Sequence, residues 1–415
     1  MPGGCTMKSV ILVSMEYPRP QDGKYGLGIS SIAAALEDAG VSWRIIDAQI
    51  NSPDFSLANV RDELFQAIEE VGEGCLVGFS TYVWNDLEVC NLIRQLRGAG
   101  VEIVLGGPQI SNTPKGQLED LYPDADYFVR GHGEMAMVGL ASEILPDNSG
   151  IHVAGEPDLG VKVELELLDL PSPYLLGTAE IRESIRWETQ RGCPYECSFC
   201  QHRELGKWQK DRCFFGEQRL ERELALFATA GVKRISVLDP VFHVDQTRTI
   251  RILNSIKTAG VGAQISLQCR FEACTPQFLD ALEGLNVTLE FGLQTIIEGE
   301  YRSIGRPNSM KKVSSVIREL HERQIDFEVS LIYGLPKQTL KSFLESVDWC
   351  KQQKIPRIRA WPLMLLRGTP LYEQKERYGF KESSDQPIPI VVSSNTFSEE
   401  DHVEMARIAR ELEEN

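Results

Sequence analysis

Residues 187–203 read WETQRGCPYECSFCQHR and carry three cysteines, Cys193, Cys197 and Cys200, with Phe199 directly before the last of them. Thiolates are the usual ligands of iron–sulfur clusters, four for a four-iron cluster, so three thiols in one loop would leave one iron open to another ligand. A zinc site needs a fourth ligand, which His202 could supply. Cys197 and Cys200 also have the spacing of a redox C-x-x-C pair. Spacing alone leaves a cluster, a zinc ion and redox chemistry as alternatives.

Strands and helices alternate on the C-terminal side of this loop. Six short apolar segments are separated by amphipathic helices, and no seventh or eighth unit follows, so we expect a partial (β/α)6 barrel over residues 183–365. Active sites in such barrels lie at the carboxyl ends of the strands, and the cysteine loop directly follows the first strand. The predicted strands read IRWETQ, RISVLD, AQISLQ, VTLEFGLQ, FEVSLIYG and RIRAWPL.

A separate α/β pattern occupies the N-terminal part of the chain. The segments SVILVS, SWRIID, CLVGFS, VEIVLGG and DYFVRG alternate with helical patterns, which predicts a doubly wound, Rossmann-like parallel sheet over residues 1–148. Ligands of such sheets bind beyond the carboxyl ends of the strands. Residues 149–182 are rich in proline and glycine and are predicted to be a linker, and residues 366–415 form a C-terminal extension that ends in a charged helix.

Charge and hydropathy exclude two classes of partner. The formal net charge is −17, and such a field repels phosphate backbones, so we expect no nucleic-acid partner. No apolar run approaches the roughly 20 residues that span a bilayer, so we expect no membrane insertion. The N-terminus lacks a charged segment followed by a cleavage site. We therefore expect a cytoplasmic protein.

The spacing Cys193-x-x-x-Cys197-x-x-Cys200 after the first strand of a six-unit partial barrel resembles that of the radical S-adenosylmethionine (SAM) superfamily. The resemblance implies that the three cysteines hold a [4Fe–4S] cluster and that the amino and carboxylate groups of SAM chelate the fourth iron. It also implies an electron donor such as flavodoxin or ferredoxin, because the reduced cluster cleaves SAM to methionine and a 5′-deoxyadenosyl radical.

Two further segments of the barrel, EFGLQT from Glu290 and LIYGLPKQT from Leu331, are similar to segments of the oxygen-independent coproporphyrinogen oxidases. By that likeness Gln294 lies near the amino-acid or ribose portion of SAM, and Ile332 and Gly334 lie near its adenine. Arg270, at the end of the third strand, is a candidate partner for the SAM carboxylate, since a planar two-pronged cation suits a carboxylate. Those enzymes often carry another cysteine at the position of His202. The resemblance therefore does not imply a porphyrin substrate for this protein.

The N-terminal domain resembles that of the cobalamin-binding subfamily of radical SAM enzymes. The matching segments are YGLGISSIAAALEDAG, GFS, LGGPQIS and DADYFVRGHGE. The resemblance implies a cobalamin site at the following residues: Ser80, Gly106, Gly107, Gly131, Gly133 and Glu134. No D-x-H-x-x-G loop is present and no histidine precedes His132, so the lower cobalt face would be empty, water-bound or touched by another side chain. The alternative is that this domain binds no cofactor and that its sheet only closes one side of the barrel.

The combined resemblance implies a cobalamin-dependent C-methyltransferase that acts on a small molecule, an amino acid or a natural-product intermediate. One alternative is a radical SAM enzyme that does not methylate but performs a rearrangement, an oxidation or a transfer of the 3-amino-3-carboxypropyl group of SAM. An alternative of another class is a corrinoid sensor that carries a cluster or a zinc ion. Strand ends similar to those that contact SAM in this superfamily occur across the barrel. A sensor would not need them, so the sequence favours an enzyme.

Overall fold

The computed structural model describes residues 7–18, 26–72, 74–144, 150–162, 167–202, 213–384 and 388–414. The chain divides into two compact units. The first comprises Met1–Arg182 together with Phe215–Glu223, and the second comprises Glu183–Phe214 together with Leu224–Asn415. Among the described residues, no helix combines the length and the apolar character that a bilayer crossing requires.

The first unit is built on a six-stranded sheet in the order β2-β1-β3-β4-β5-β6. All seven residues of the central strand β1 are buried, as expected for a strand that helices cover on both faces. The strands are β1 (Val10–Glu16), β2 (Trp43–Gln49), β3 (Leu76–Ser80), β4 (Glu102–Gly106), β5 (Tyr127–Val129) and β6 (Ile151–Val153). The helices are α1 (Leu27–Asp38), α2 (Leu57–Val71), α3 (Asp86–Gln95), α4 (Pro108–Ser111), α5 (Leu118–Leu121) and α6 (Glu134–Ser142).

Strands β1 to β5 are parallel, which confirms the doubly wound sheet. Strand β6 pairs with β5 in the antiparallel direction and lies within residues 149–182, the segment predicted to be a linker. This strand has only three residues, too few for a period-two pattern to indicate a strand in the sequence.

The second unit contains the predicted partial barrel. Six parallel strands pair in the order β14-β13-β12-β11-β10-β7. These strands are β7 (Ser184–Trp187), β10 (Arg234–Val237), β11 (Gln264–Cys269), β12 (Val287–Gln294), β13 (Asp326–Tyr333) and β14 (Arg357–Pro362). Short pairs are formed by β8 (Gln190–Arg191) with β9 (Cys213–Phe214) and by β15 (Lys381–Glu382) with β16 (Val391–Ser393).

Helices connect the strands of the barrel, although the first half of the first of these helices, α7, groups with the first unit. Three helices follow the last barrel strand: α13 (Pro370–Glu373), α14 (Lys375–Tyr378) and α15 (Glu399–Glu414). The helices between the strands are α7 (Glu217–Ala230), α8 (Gln246–Ala259), α9 (Pro276–Ala281), α10 (Glu298–Ser303), α11 (Met310–Glu322) and α12 (Leu340–Gln352). The outward residues of β13 pack on them: Phe327 contacts His321 of α11, and Tyr333 contacts Phe343 of α12. The alternate residues Asp326, Glu328 and Ser330 are less buried, so the strand has one apolar and one polar face.

The C-terminal extension packs against the last strands of this sheet. Helix α15 packs against β14, α12 and β16. The N–H of Val391 in β16 donates to the carbonyl of Leu363 at 2.8 Å, and Leu363 donates to the carbonyl of Tyr333 at 2.9 Å. A Cβ at Gly334 would lie 3.6 Å from the ring of Phe397. The extension therefore covers the carboxyl end of β13.

Candidate cofactor-binding site

The three cysteines of the loop lie close enough to influence one another. Burial raises the pKa of the Cys200 thiol to about 11, and the nearby Cys197 and Cys193 raise it further. Burial also raises the pKa of Cys193, which Arg270 and Arg306 lower in part. Among the described residues, no three His, Cys, Asp or Glu side chains converge on a single metal ion. The thiols must lose their protons when they bind a metal, and the two arginines favour that loss.

Main-chain hydrogen bonds hold the loop on two sides. The N–H of Ser198 donates to the carbonyl of Ile304 at 2.9 Å, and the carbonyl of Ser198 accepts from the N–H of Leu371 at 2.9 Å. Gly305 has a φ of +62°, and a Cβ there would lie 3.1 Å from the carbonyl oxygen of Glu196. Both the conformation and the space require glycine at this position.

A buried carboxylate fixes the chain where it enters the loop. Asp239, after β10, accepts hydrogen bonds from the N–H groups of Thr189 and Gln190 and from the Thr189 hydroxyl. Arg248 donates to the Thr189 hydroxyl and to the Thr189 carbonyl. Burial raises the pKa of Asp239 to about 6, although these partners lower it.

This raised pKa predicts a pH dependence of stability. Because the folded protein holds the Asp239 proton up to about pH 6, whereas a free aspartate releases it near pH 4, the free energy of unfolding falls as pH rises through that window. We expect Asp239→Asn to remove this part of the pH dependence. The check is the difference in thermal midpoint between apo wild type and variant from about pH 4 to pH 7. An unchanged difference across that range would contradict the assignment.

Arg270 lies against the cysteine loop, as its predicted role requires. Its side chain is 4% exposed, and its guanidinium carbon lies 3.8 Å from the centroid of the Tyr195 ring, which stands between Cys193 and Cys197. The Nε atom is 3.5 Å from a carboxylate oxygen of Glu272, whose other oxygen is buried without a hydrogen-bond partner. A buried cation beside an unsatisfied carboxylate oxygen fits a zwitterionic ligand.

Gln294 ends β12 in a strained conformation. Its φ is +70°, and the N–H of Thr295 donates to the carbonyl of Leu293 at 2.9 Å, so Gln294 is the centre of a tight γ-turn with positive φ. The ladder between β12 and β13 shifts register at Gly292 and Gln294. A Cβ at Gly292 would lie 2.6 Å from Nε2 of Gln294, and Oε1 of Gln294 is buried without a partner. Strain and an unsatisfied oxygen together are typical of a ligand-binding residue.

Ile332 and Gly334 lie at the neighbouring strand end, where their main-chain groups are already paired. Oε1 of Gln338 accepts from the N–H of Gly334 at 2.7 Å and from the N–H of Leu335 at 3.1 Å. Nε2 of Gln338 donates to the carbonyl of Ile332 at 3.1 Å. A ligand at this end would therefore meet the half-buried Ile332 side chain rather than these paired groups.

Arg306 lies at the same edge, although no motif in the sequence around it predicts a site residue. Its Nη1 atom lies 3.4 Å from Sγ of Cys197, and its Nε atom donates to the carbonyl of Gly292 at 3.1 Å. Asn308 donates to the carbonyls of Leu293 and Thr295, each at 3.0 Å. The turn after α10 thus links the cysteine loop to the end of β12.

The predicted cobalamin residues of the first unit lie on one edge of its sheet. Ser80 and Gly106 end β3 and β4, and they are paired in register. Gly107 has a φ of +96°, and a Cβ there would lie 2.7 Å from the Thr81 carbonyl oxygen, so glycine is required. The Thr81 hydroxyl is buried without a hydrogen-bond partner. This close backbone and unsatisfied hydroxyl fit a ligand that carries amide groups.

The remaining predicted residues lie between β5 and α6. Gly131 has a φ of +89°, and its N–H donates to the Ser111 hydroxyl at 2.9 Å. A Cβ at Gly133 would lie 2.9 Å from the Ile32 side chain, and Glu134 is buried at the first position of α6. Because β3, β4 and β5 are parallel, their carboxyl ends bring all six residues to the same edge.

An aromatic pair lies on this edge as well. The rings of Tyr82 and Trp84 stack at 4.4 Å with an angle of 7° between their planes. The indole N–H of Trp84 donates to the Met15 carbonyl at 3.0 Å, which ties the pair to the end of β1. Both residues are half-buried, so part of their aromatic surface stays accessible.

Comparisons with known families agree with both units. Residues 24–141 match the B12 binding domain, and residues 187–350 match the Radical SAM superfamily. Among curated proteins, the chain is 27% identical over 363 residues to the cobalamin-dependent radical SAM methyltransferase TokK of Streptomyces tokunonensis, covering 77% of this chain and 52% of that protein. It is 26% identical to the 2-(S-pantetheinyl)-carbapenam-3-carboxylate methyltransferase of Streptantibioticus cattleyicolor, covering 68% and 46%. The chain thus spans about half the length of these relatives.

Solved structures share the whole architecture. The radical SAM methyltransferase TsrM from Kitasatospora setae, with cobalamin and a [4Fe–4S] cluster bound, superimposes with a TM-score of 0.72 at 17% identity, over 96% of this chain and 91% of that one. The cobalamin-dependent SAM radical enzyme OxsB gives a TM-score of 0.70 at 14% identity, over 97% and 66%. These likenesses show the fold. The chain belongs to the radical SAM superfamily and carries an N-terminal B12-binding domain.

Proposed function

We propose that this protein is a cobalamin-dependent radical SAM methyltransferase that acts on a carbon atom of a small molecule. The observation that carries the proposal is the contact of the three-cysteine loop with two buried arginines, Arg270 over the Tyr195 ring and Arg306 at Cys197. Arg306 also binds the carbonyl of Gly292, two residues before Gln294, whose Oε1 is buried without a partner. The names of the relatives TokK and the carbapenam methyltransferase support the methyl transfer.

The second unit would hold the cluster and SAM. Cys193, Cys197 and Cys200 would ligate a [4Fe–4S] cluster, and its open iron would take the amino and carboxylate groups of SAM. Arg270 would pair with that carboxylate, and Gln294 Oε1 would accept a hydrogen bond from SAM. When bound and reduced, the cluster supplies the electron that cleaves SAM to a 5′-deoxyadenosyl radical. Tyr195, which packs on Arg270, and the main-chain bonds of the loop would help to position these residues.

The first unit would hold cobalamin, which supplies a methyl carrier when bound. The backbone at Gly106 and Gly107 would approach the cofactor closely, and the Thr81 hydroxyl would gain a partner. No histidine precedes His132, so the ends of β1, β3 and β4 would supply no histidine to the cofactor. The protein would also need an external electron donor such as flavodoxin or ferredoxin.

The decisive experiment is purification of the protein with cobalamin supplied, followed by anaerobic cluster reconstitution. We expect about one corrinoid per chain, about four irons per chain, and 5′-deoxyadenosine from SAM after reduction.

Other outcomes separate the alternatives. A corrinoid-free protein that cleaves SAM would contradict methyl transfer and favour another radical SAM reaction. A protein that binds the corrinoid and never cleaves SAM would contradict the enzyme and favour a sensor.

A further inference from the structure

We propose that Glu300 and Gln338 are positioning residues, a clamp that holds the carboxyl ends of β12 and β13 in one fixed arrangement for SAM. This inference rests on the proposed function. The clamp consists of a buried carboxylate on α10 and a buried amide in the turn after β13.

Gln338 forms the β13 side of the clamp. Its side chain is fully buried. Both the oxygen and the nitrogen of its amide form hydrogen bonds with the main chain between Ile332 and Leu335. The second hydrogen of its Nε2 points to a carboxylate oxygen of Glu300 at 3.4 Å. The hydroxyl of Thr396 donates to the Gln338 carbonyl at 2.7 Å, which fixes its main chain.

Glu300 forms the β12 side. Its residue is 1% exposed, and the same carboxylate oxygen that faces Gln338 accepts a hydrogen bond from the Thr295 hydroxyl at 2.6 Å. Thr295 directly follows Gln294 and closes its γ-turn. One oxygen of Glu300 therefore connects the strained Gln294 turn with the Ile332 to Leu335 turn.

The strand ladder cannot make this connection. The register between β12 and β13 shifts at Gly292, and the last paired residue of β12, Gln294, stands opposite Leu331. Beyond that point β13 pairs only with β14, through Ile332 and Tyr333. The side chains of Glu300 and Gln338 replace main-chain pairing between the two strand ends proposed to contact SAM. A strained residue persists only where its surroundings determine it, and this clamp supplies that determination.

The test uses full-length, cluster-reconstituted protein and SAM as the probe. Gln338→Glu sets two carboxylates face to face, so we expect the dissociation constant of SAM to rise about tenfold or more. Adding Glu300→Gln restores a donor and acceptor pair with reversed direction. We expect the double variant to recover SAM affinity to within about threefold, although the Ile332 carbonyl stays without its donor.

A second readout works without SAM. Thr295→Val removes the donor to Glu300 on the β12 side, and we expect faster amide hydrogen exchange across the clamp, at Gly334 and Leu335. Asp326→Asn is the matched control, because it disturbs an ion pair with Arg357 at the opposite end of β13. It should leave both SAM affinity and exchange at Gly334 unchanged.

The two readouts distinguish the clamp from the proposed function. Unchanged exchange at Gly334 and Leu335 in Thr295→Val would overturn the clamp, and so would a Gln338→Glu variant with normal SAM affinity or a double variant without recovery. If wild type binds no SAM while Thr295→Val still accelerates exchange at Gly334, the clamp stands as a structural link and the proposed function fails.

Discussion

Replacing Cys197 by alanine is expected to remove the iron–sulfur cluster and, with it, all cleavage of SAM. Cys197 is the most buried of the three thiols and is the one that Arg306 contacts. Two remaining thiols cannot hold a four-iron cluster that already leaves one iron open. After anaerobic reconstitution we expect about four irons per wild-type chain and less than about one per variant chain. The measurement is iron and sulfide content, followed by assay of 5′-deoxyadenosine.

Cys213 provides the matched control for this prediction. Cys213 lies in β9 and pairs with Arg191 of β8. Arg191 stands two residues before Cys193 in the sequence, so Cys213 is close to the start of the cysteine loop. It is also half-buried, as Cys193 and Cys200 are. Cys213→Ala should retain the full iron content. If it loses iron to the same extent as Cys197→Ala, a fourth thiol takes part and the three-thiol site with an open iron is wrong.

Removal of the Arg306 charge is expected to make the cluster harder to reduce. Arg306 brings a buried positive charge and an N–H donor to Cys197 Sγ, and both stabilise the more negative, reduced cluster. A hydrogen bond to a charged group contributes about 1.5 kcal/mol, which corresponds to about 60 mV for one electron. Because only the difference in stabilisation between the reduced and oxidised cluster moves the potential, we expect Arg306→Met to shift the midpoint potential negative by tens of millivolts, on the order of this amount. The check is a potentiometric titration followed by electron paramagnetic resonance.

Arg306→Lys separates charge from anchoring. Lysine keeps the charge but cannot reproduce the planar fork that bonds both Cys197 and the Gly292 carbonyl. We therefore expect a smaller change in potential than in Arg306→Met, while SAM affinity falls in both variants because the end of β12 loses its anchor. An Arg306→Met variant with full iron and the wild-type potential would rule out the electrostatic role.

The fold could be predicted largely because the strands carry a clear pattern. Strand β1 is mostly apolar, and all seven of its residues are buried. Strand β13 alternates between two kinds of residue, and its burial alternates in the same way. Strand β6 escaped prediction because three residues carry no period and its antiparallel direction depends on its partner β5. Secondary structure that depends on a neighbour far along the chain leaves little signal in its own residues.

Some residues of the candidate site could likewise be predicted from the sequence, and others could not. Local spacing predicted the cysteine loop, the end of the third strand suggested Arg270, and the likeness of EFGLQT to segments of the coproporphyrinogen oxidases suggested Gln294. Arg306 was missed because its contact with Cys197 joins positions 109 residues apart. Nothing in the letters EFGLQT indicates that Gln294 has a positive φ, since that conformation is disfavoured for glutamine and depends on later residues, among them Asn308, which donates to the carbonyls on both sides of Gln294.

The packing of residues 391–397 on β13 has a consequence for how the protein is made. Domains of a growing chain fold as units, the N-terminal one first, and the first unit uses residues only up to Glu223. The edge near Gly334 needs Val391, Thr396 and Phe397, which are translated last among its contacts. A nascent chain can thus complete the sheet of the first unit while the barrel is still unfinished. The carboxyl end of β13 can therefore reach its final packing only after these last residues have been translated.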